Sequence, residues 1–218
     1  MYLYNLPSSL SWCEQDYTHS KYIAEYYNTI TGFCLIISSI ICYKQFNHYK
    51  LKTSQFLLFL VGVGTILFHG TLLYIWQLLD EIPMILIVIE YLKIFFPDNK
   101  RIYYFYILIP IIIGSYFINT NLQVISFQAS FILLVLVCLR HLRKVNKTKN
   151  KTSNKIGLFI LFTSSLVWSI ENNFCKYYPD YIQLHALWHI LTSIGMYYLN
   201  KIIFNILIDN TTNNTTTI

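Results

Sequence analysis

Seven apolar stretches, joined by short polar connections, run along the chain. They lie at Tyr22–Tyr43, Gln55–Ile75, Ile82–Phe96, Ile102–Ile118, Leu122–Leu142, Ile156–Phe174 and Leu184–Ile208. A helix of about 20 apolar residues crosses a hydrocarbon core roughly 30 Å thick. The pattern therefore predicts an all-α integral membrane protein, a bundle of seven transmembrane helices.

The composition supports the same class. Of the 218 residues, 55% are hydrophobic and only 12% are charged, whereas soluble domains carry roughly 25% charged residues. The apolar stretches leave no long soluble segment, so we expect one domain over residues 1–208 and a disordered, Asn- and Thr-rich tail over 209–218. The first residues lack a basic start followed by an uninterrupted apolar run, so no cleavable signal peptide is predicted.

Lysine and arginine are concentrated after the first, third and fifth predicted helices. These residues are Lys44, Lys50, Lys52, Lys100, Arg101, Arg140, Arg143, Lys144, Lys147, Lys149, Lys151 and Lys155. By the positive-inside rule, these connections and the C-terminus face the cytosol, and the N-terminus faces the lumen or the exterior. The net charge of +6 then reflects the orientation of the helices in the membrane. We predict no nucleic-acid partner, because the positive residues lie in short loops beside membrane helices.

Three histidines fall within or beside the apolar stretches, in the same half of the predicted bundle. His185 and His189 are four residues apart, so they share one side of a helix and can bind one metal ion. His69 reaches the same outer half from the second helix. Three neutral imidazoles and an open position form a catalytic zinc site. One alternative is interfacial histidines without a metal; haem fits less well, because two histidines one turn apart cannot clamp both faces of a porphyrin.

A carboxylate pair, Asp80 and Glu81, stands at the outer start of the third predicted helix. Asp80 can accept a proton from water at the metal and return it to a leaving amine, if it lies within hydrogen-bond reach. The alternative is a carboxylate favoured by the helix dipole, with Pro83 in the first turn, where proline is tolerated. The pattern alone does not show whether Asp80 or Glu81 would carry the proton.

The N-terminal segment carries an acidic cluster at the head of the first helix. Glu14, Asp16 and Glu25 offer oxygen donors suited to a hard cation; the alternative is an exposed acidic segment beside the membrane. Cys34, Cys42 and Cys138 lie in apolar helices and are expected to be packing residues. Cys13 and Cys175 both fall on the outer side, where oxidising conditions allow a disulfide.

Three parts of the chain carry a family resemblance. They are WCEQDY with IAEYYNT (Trp12–Tyr17 and Ile23–Thr29), FHGTLLYIWQLLDEIPM (Phe68–Met84) and LHALWHILT (Leu184–Thr192). Their order and helix positions resemble the alkaline ceramidases, seven-helix hydrolases of the superfamily that also holds the adiponectin receptors and the GPI-anchor remodelling lipases. The resemblance spans nearly the whole chain, and the first two parts distinguish ceramidases from those sister groups.

The resemblance implies a role for individual residues. It implies zinc ligands at His69, His185 and His189, and a catalytic aspartate at Asp80. Thr65 stands where the family has a serine that assists the zinc site or the developing oxyanion. The resemblance also implies a calcium ion beside the active site, bound through Ser11, Trp12 (by its backbone carbonyl), Glu14, Asp16 and Glu25, although the family usually has aspartate in place of Ser11 and asparagine in place of Asp16. It further implies a disulfide between Cys13 and Cys175.

The expected function is zinc-dependent hydrolysis of ceramide to sphingosine and a fatty acid in the membrane of the endoplasmic reticulum or Golgi. Ceramide and the surrounding membrane lipids are the expected partners, with no obligate protein partner. Two alternatives stay open: a related metal-dependent hydrolase that acts on another lipid, and a non-enzymatic seven-helix receptor with a structural zinc. A channel or transporter is disfavoured, because the polar residues cluster at one rim and do not line a path across the membrane.

Overall fold

A computed structural model of the chain describes residues 5–145, 151–174, 177 and 182–215. Within these ranges the protein folds into seven α-helices. They are α1 (Tyr26–Gln45), α2 (Tyr49–Thr71), α3 (Tyr74–Phe95), α4 (Leu108–Ile118), α5 (Thr120–Val145), α6 (Lys151–Phe174) and α7 (Leu184–Thr215), with a 3-10 helix at Lys100–Ile107 that leads into α4. The prediction of an all-helical chain with seven helices is confirmed.

Five helical segments of the described chain are long and apolar enough to cross a membrane. They are Tyr26–Gln45, Tyr49–Thr71, Lys100–Ile118, Thr120–Leu142 and Leu184–Asp209. Of the other two helices, α3 includes four charged residues, Asp80, Glu81, Glu90 and Lys93. Large apolar side chains are nevertheless exposed on α6 as well, such as Phe159 and Phe162. The count of seven membrane spans and the orientation of the termini stay predictions.

The helices pack in the spatial order α6, α7, α1, α2, α3, α5, α4. A buried core runs between α1, α2, α3, α5 and α7, and its fully enclosed residues include Leu35, Leu58, Ile85, Ile89, Leu134 and Ile203. In lipid, apolar surface gains little by leaving its surroundings, so close van der Waals packing between helices has to supply much of the stability. Small residues at the helix contacts are therefore important.

The junction between α2 and α3 differs from the predicted one. The sequence pattern placed the break between Ile75 and Ile82, and this boundary is wrong: α2 ends at Thr71 and α3 begins at Tyr74. The N-terminal segment sets the break, because Ser8 N–H donates to the Leu72 carbonyl (2.8 Å) and Tyr74 N–H donates to the Leu6 carbonyl (2.9 Å). Such contacts are remote in sequence, so local hydrophobicity does not reveal them.

Two further positions differ from the expected helix ends. Pro83 lies inside α3, so its predicted place in the first turn is wrong. Proline has no N–H to donate to the residue four positions earlier, which here is Leu79. At the other end of the chain, α7 continues to Thr215, past the boundary predicted at Ile208 and into the segment predicted to be disordered. Once a helix has formed, each added residue loses conformational entropy but gains one backbone hydrogen bond, so the helix can continue through residues of low helix propensity.

Gly64 in α2 allows the closest approach of α3. A Cβ atom at this position would lie 2.5 Å from the backbone nitrogen of Asp80 and 2.6 Å from the carbonyl oxygen of Leu79. Backbone atoms cannot rotate away as side chains do, so any larger residue would push the two helices apart. The carbonyl of Leu79, to which Pro83 cannot donate a hydrogen bond, lies against this glycine. This contact sets where Asp80 stands relative to α2.

A buried polar network anchors the N-terminal segment to α3 and α5. The Glu81 carboxylate accepts hydrogen bonds from the Gln77 side-chain amide (2.8 Å) and the Gln123 side-chain amide (2.6 Å). Ser9 N–H donates to the Gln77 side-chain oxygen (2.8 Å), and the Ser9 hydroxyl donates to the Gln123 side-chain oxygen. A buried network of this kind is stabilising when its members are satisfied. It fixes the chain just before Ser11 and Trp12.

We expect Gly64→Ala to lower stability relative to Gly114→Ala. Both substitutions replace glycine with alanine, a better helix former, which stabilises a helix by about 1 kcal/mol. Only Gly64→Ala also places a methyl group against the backbone of α3, and such overpacking costs about 1–3 kcal/mol. At Gly114 a Cβ meets nothing within 4 Å, so this variant is the matched control. Thermal unfolding of the purified proteins in detergent, followed by circular dichroism, measures the difference. Equal melting temperatures for the two variants would contradict the proposed close packing.

Candidate functional site

Three histidines converge at one end of the bundle. His69 lies in the last turn of α2, and His185 and His189 lie in the first two turns of α7. Their ring centroids are 5.1 Å apart for His69 with either partner and 4.6 Å apart for His185 with His189. All three are at most 2% exposed. Among the residues that the structure describes, they are the one group of three or more His, Cys, Asp or Glu side chains whose ligand atoms all lie within 4.8 Å of one another.

Each of these histidines has a buried ring nitrogen without a hydrogen-bond partner among the described residues. These atoms are Nε2 of His69, Nδ1 of His185 and Nε2 of His189. Burial of an unpaired polar atom costs free energy, so three such atoms in one place require a shared partner. Three neutral imidazoles are also a ligand set that zinc accepts, with a fourth position left for substrate or water. The residues therefore fit a zinc ion.

The second ring nitrogens of two histidines have the partners that metal ligation requires. Nδ1 of His69 is hydrogen-bonded to the Glu25 carboxylate, which only accepts, so in a neutral ring the hydrogen sits on Nδ1. Nδ1 of His189 lies 2.9 Å from the Thr31 hydroxyl, which can donate its own hydrogen to the Tyr27 carbonyl. Both arrangements leave the lone pair of Nε2 free for a metal. Partners of this type fix the tautomer and the orientation of metal-binding histidines.

Asp80 lies beside α2, next to the end of that helix that carries His69. Its Oδ1 is 2.7 Å from the Thr65 hydroxyl, and the same hydroxyl is 2.8 Å from the Val61 carbonyl. A hydroxyl has one hydrogen and two acceptor sites. When Asp80 is ionised, Thr65 donates to it. When Asp80 is protonated, it can donate to Thr65, which then donates to Val61. Both protonation states of Asp80 are satisfied without any rearrangement of the backbone.

The structure also separates Asp80 from its neighbour Glu81. Asp80 contacts Thr65 on α2 and interacts electrostatically with His69. Glu81 points to the other side of α3, where both its carboxylate oxygens accept hydrogen bonds from the glutamine amides of the buried network. Of the two carboxylates, Asp80 is therefore the one placed with the histidines.

The residues of the predicted calcium site lie on the N-terminal segment and at the start of α1. The oxygens of Glu14 accept hydrogen bonds from the backbone N–H groups of Tyr27 (2.7 Å) and Asn28 (3.0 Å), in the first turn of α1. The alternative of an exposed acidic segment is wrong for Glu14 and Glu25, which are 4% and 0% exposed. Ser11 and Asp16 are exposed, so the five predicted ligands differ widely in their environment.

Electrostatics couple the acidic residues of this segment. Although Asp16 is exposed, partial loss of its hydration raises its pKa, and the Glu25 carboxylate raises it further. Burial alone would also raise the pKa of Glu25, but its interaction with His69, together with hydrogen bonds from Asn28 and Trp12, lowers it below its usual value. Glu25 is therefore held as a carboxylate, and Asp16 experiences its negative charge.

Sequence reasoning missed two polar residues that contact this region. Thr31 is an ordinary helix residue by pattern, and its contact with His189 follows only from the packing of α1 on α7. Glu171 lies near the end of α6 and is 2% exposed, and its carboxylate accepts a hydrogen bond from Cys13 N–H (3.2 Å). An acidic residue at the predicted outer end of an apolar helix was the available signal. Cys175 lies outside the described residues, so its disulfide with Cys13 stays a prediction.

Comparison with known proteins assigns the family. The family model described as Ceramidase matches residues 5–217. The chain is 30% identical to an alkaline ceramidase of Saccharomyces cerevisiae, over 88% of this chain and 74% of the yeast protein. It is also 30% identical to alkaline ceramidase 3 of Mus musculus, over 87% and 80%, and 27% identical to an alkaline ceramidase of Arabidopsis thaliana, over 88% and 81%. With its three converging histidines and a match along nearly its whole length, the chain belongs to the ceramidase family.

Proposed function

We propose that the protein is a membrane-embedded, zinc-dependent amidase that hydrolyses ceramide to sphingosine and a free fatty acid, in the membrane of the endoplasmic reticulum or Golgi. The observation that carries the proposal is the convergence of three buried imidazoles, each with an unpaired ring nitrogen, beside an aspartate. Relatives named alkaline ceramidases supply the substrate class. The two together favour hydrolysis of a lipid amide over a purely structural zinc.

His69, His185 and His189 would hold the zinc ion. When bound, the ion supplies Lewis acidity, which polarises a substrate carbonyl and makes water more acidic. Glu25 and Thr31 keep His69 and His189 in the tautomer and orientation that binding requires. Because all three rings are buried, bulk water does not weaken these interactions.

Asp80 moves the proton. It takes a proton at its carboxylate when water attacks the amide carbon, and it returns the proton to the nitrogen of the leaving amine. This second transfer is essential because an unprotonated amine is a poor leaving group. Thr65 supports both states of Asp80, since its hydroxyl donates to the carboxylate and accepts from the acid. The role proposed for Thr65 toward the oxyanion is additional and rests on the family resemblance.

Apolar surface near Asp80 suits a substrate with long hydrocarbon tails. An open, apolar groove of about 350 Å³ runs along α3 and is lined by six of its residues: Ile75, Trp76, Leu78, Leu79, Ile82 and Pro83. Leu79 precedes Asp80 directly, so the groove and the proposed proton carrier lie on the same two turns of one helix. A lipid tail placed in this groove would remain in an apolar environment.

A calcium ion is the second proposed cofactor. Ser11, Trp12 (by its backbone carbonyl), Glu14, Asp16 and Glu25 are the proposed ligands. Carboxylate and carbonyl oxygens are the ligands that calcium prefers, and a cation here would relieve the repulsion between Asp16 and Glu25. Ser11 supplies a neutral oxygen where the family has a carboxylate, and Asp16 supplies the charge in its place.

Removal of one zinc ligand and removal of the proton carrier should have different consequences. We expect His189→Ala to lose both zinc and the release of sphingosine from ceramide. Asp80→Asn should keep its zinc and lose activity by about 10²- to 10⁴-fold, the usual contribution of general acid–base catalysis. Mass-spectrometric product analysis and elemental analysis of the purified proteins measure the two effects.

Glu81→Gln is the matched control for Asp80→Asn, since it removes the adjacent carboxylate, which faces away from Thr65. It should retain most of the activity. Full activity in both His189→Ala and Asp80→Asn would show that the mechanism is wrong. Release of a different product from a lipid extract, with ceramide untouched, would assign the enzyme to another lipid.

The Thr65 hydroxyl can be tested with two substitutions of similar size. Thr65→Val keeps the branched shape and removes the hydroxyl, so it should lower kcat by roughly 10- to 100-fold, from the loss of a hydrogen bond to a charged group worth about 1.5–3 kcal/mol. Thr65→Ser restores the hydroxyl and should restore most of the rate. Zinc content should be unchanged in both. Equal rates for the valine and serine variants would exclude a role for the hydroxyl.

Calcium binding should raise the melting temperature. At a concentration 100 times Kd, a ligand stabilises by about 2.7 kcal/mol, which is roughly 5–10 °C for a chain of this size. We expect this shift with calcium in the wild type and a much smaller one in Asp16→Ala. Asp98→Ala, which removes an exposed carboxylate remote in sequence from the proposed ligands, should respond like the wild type. Identical shifts in all three proteins would disprove the assignment.

A further inference from the structure

His185 is held differently from the other two histidines. His69 and His189 each have a hydrogen bond from the second ring nitrogen, to Glu25 and Thr31. For His185, the contacts that the described residues provide to the ring are aromatic. The Trp12 indole stacks on it with ring centroids 3.6 Å apart and planes inclined by 20°, and Trp188 lies at 5.1 Å with an inclination of 25°. The closer contact comes from outside α7.

The backbone of Trp12 is tied to the bundle by two buried carboxylates in succession. Trp12 N–H donates to Glu25 Oε1 (2.9 Å), and Cys13 N–H donates to Glu171 Oε1 (3.2 Å). Glu25 precedes α1 and Glu171 is on α6, so the two hydrogen bonds fix this peptide from two sides. Glu171 also interacts with the backbone N–H of His185. The two carboxylates thus hold the backbone that carries the indole, and one of them, Glu171, also interacts with the first turn of α7.

We propose that the Trp12 side chain is a positioning residue: held by Glu25 and Glu171, it orients the His185 ring for metal binding. The proposal rests on the zinc-dependent function proposed above. It assigns the indole a role separate from the backbone carbonyl of Trp12, which belongs to the proposed calcium site. A flat aromatic contact at 3.6 Å restricts rotation of the imidazole about its Cβ–Cγ bond, as a hydrogen bond does for His69 and His189.

This arrangement explains why the N-terminal segment is folded over the site. Ser9 is anchored in the network of Glu81, Gln77 and Gln123, and Trp12 follows three residues later. The segment is therefore fixed before and after Trp12. Without the two tethers, the indole would have several rotamers, and His185 would lose the neighbour that limits its own.

The test is metal affinity, measured without turnover. Zinc is titrated into the purified full-length protein against a chelator of known affinity, and the cobalt-substituted protein gives the absorption spectrum of the metal site. Trp12→Leu should weaken zinc binding by about 10- to 100-fold, as loss of an orienting partner does in other zinc proteins, and should change the cobalt spectrum. Trp12→Phe, which keeps an aromatic face, should retain most of the affinity. Tyr22→Leu removes an aromatic side chain that is 77% exposed and should behave like the wild type.

A second pair of variants tests the tether, in case Trp12→Leu does not fold. Glu171→Ala removes the acceptor for Cys13 N–H and should weaken zinc binding, as Trp12→Leu does. Glu171→Gln keeps an acceptor oxygen and should retain most of the wild-type zinc affinity. Wild-type affinity and an unchanged cobalt spectrum in both Trp12→Leu and Glu171→Ala would overturn the proposal.

The proposed function can fail separately. A wild-type protein that binds zinc but releases no sphingosine would disprove ceramide hydrolysis, while the affinities of the Trp12 variants would still decide the role of the indole. A wild-type protein without zinc affinity would overturn both.

Discussion

Glu25 carries a carboxylate that is fully buried where α1 begins, and such a charge is stable only when hydrogen bonds replace its lost hydration. Three donors meet this requirement: the backbone N–H of Trp12, the side chain of Asn28 and the imidazole of His69. The backbone N–H of Glu25 also donates to the His69 carbonyl (2.9 Å). The hydrogen bonds that stabilise this one buried charge thus join the N-terminal segment, α1 and α2 at the end of the bundle where the three histidines meet.

The same carboxylate links the two proposed metal sites. On one side it orients His69, and on the other it is a proposed ligand of calcium, close enough to Asp16 to affect its charge. An ion bound by the N-terminal segment would therefore act on the proposed zinc ligands through Glu25 and through the position of Trp12. This coupling needs no large movement, because Glu25 is hydrogen-bonded directly to the His69 ring and to the backbone of Trp12.

The opposite wall of the site depends on packing between backbones. Gly64 lets α3 lie directly on α2, with the Leu79 carbonyl and the Asp80 nitrogen at the contact. One residue further along α2, the Thr65 hydroxyl is hydrogen-bonded to Asp80 at 2.7 Å. The two adjacent carboxylates, Asp80 and Glu81, were visible in the sequence, but the choice between them depended on which face of α3 meets α2.

The sequence by itself determined the helical class, the number of helices and the convergence of His69 and Asp80 with the pair His185 and His189. These follow from local periodicity, from residue spacing and from short connections that return the chain to the same end of the bundle. Only the tertiary structure decided what surrounds each residue of the site: Glu25 at His69, Thr31 at His189, Trp12 and Glu171 at His185, and Thr65 at Asp80. The separation along the chain ranges from 14 residues, for Glu171 and His185, to 173 residues, for Trp12 and His185, so these contacts depend on how helix faces are turned toward one another. No local pattern in the chain encodes that rotation.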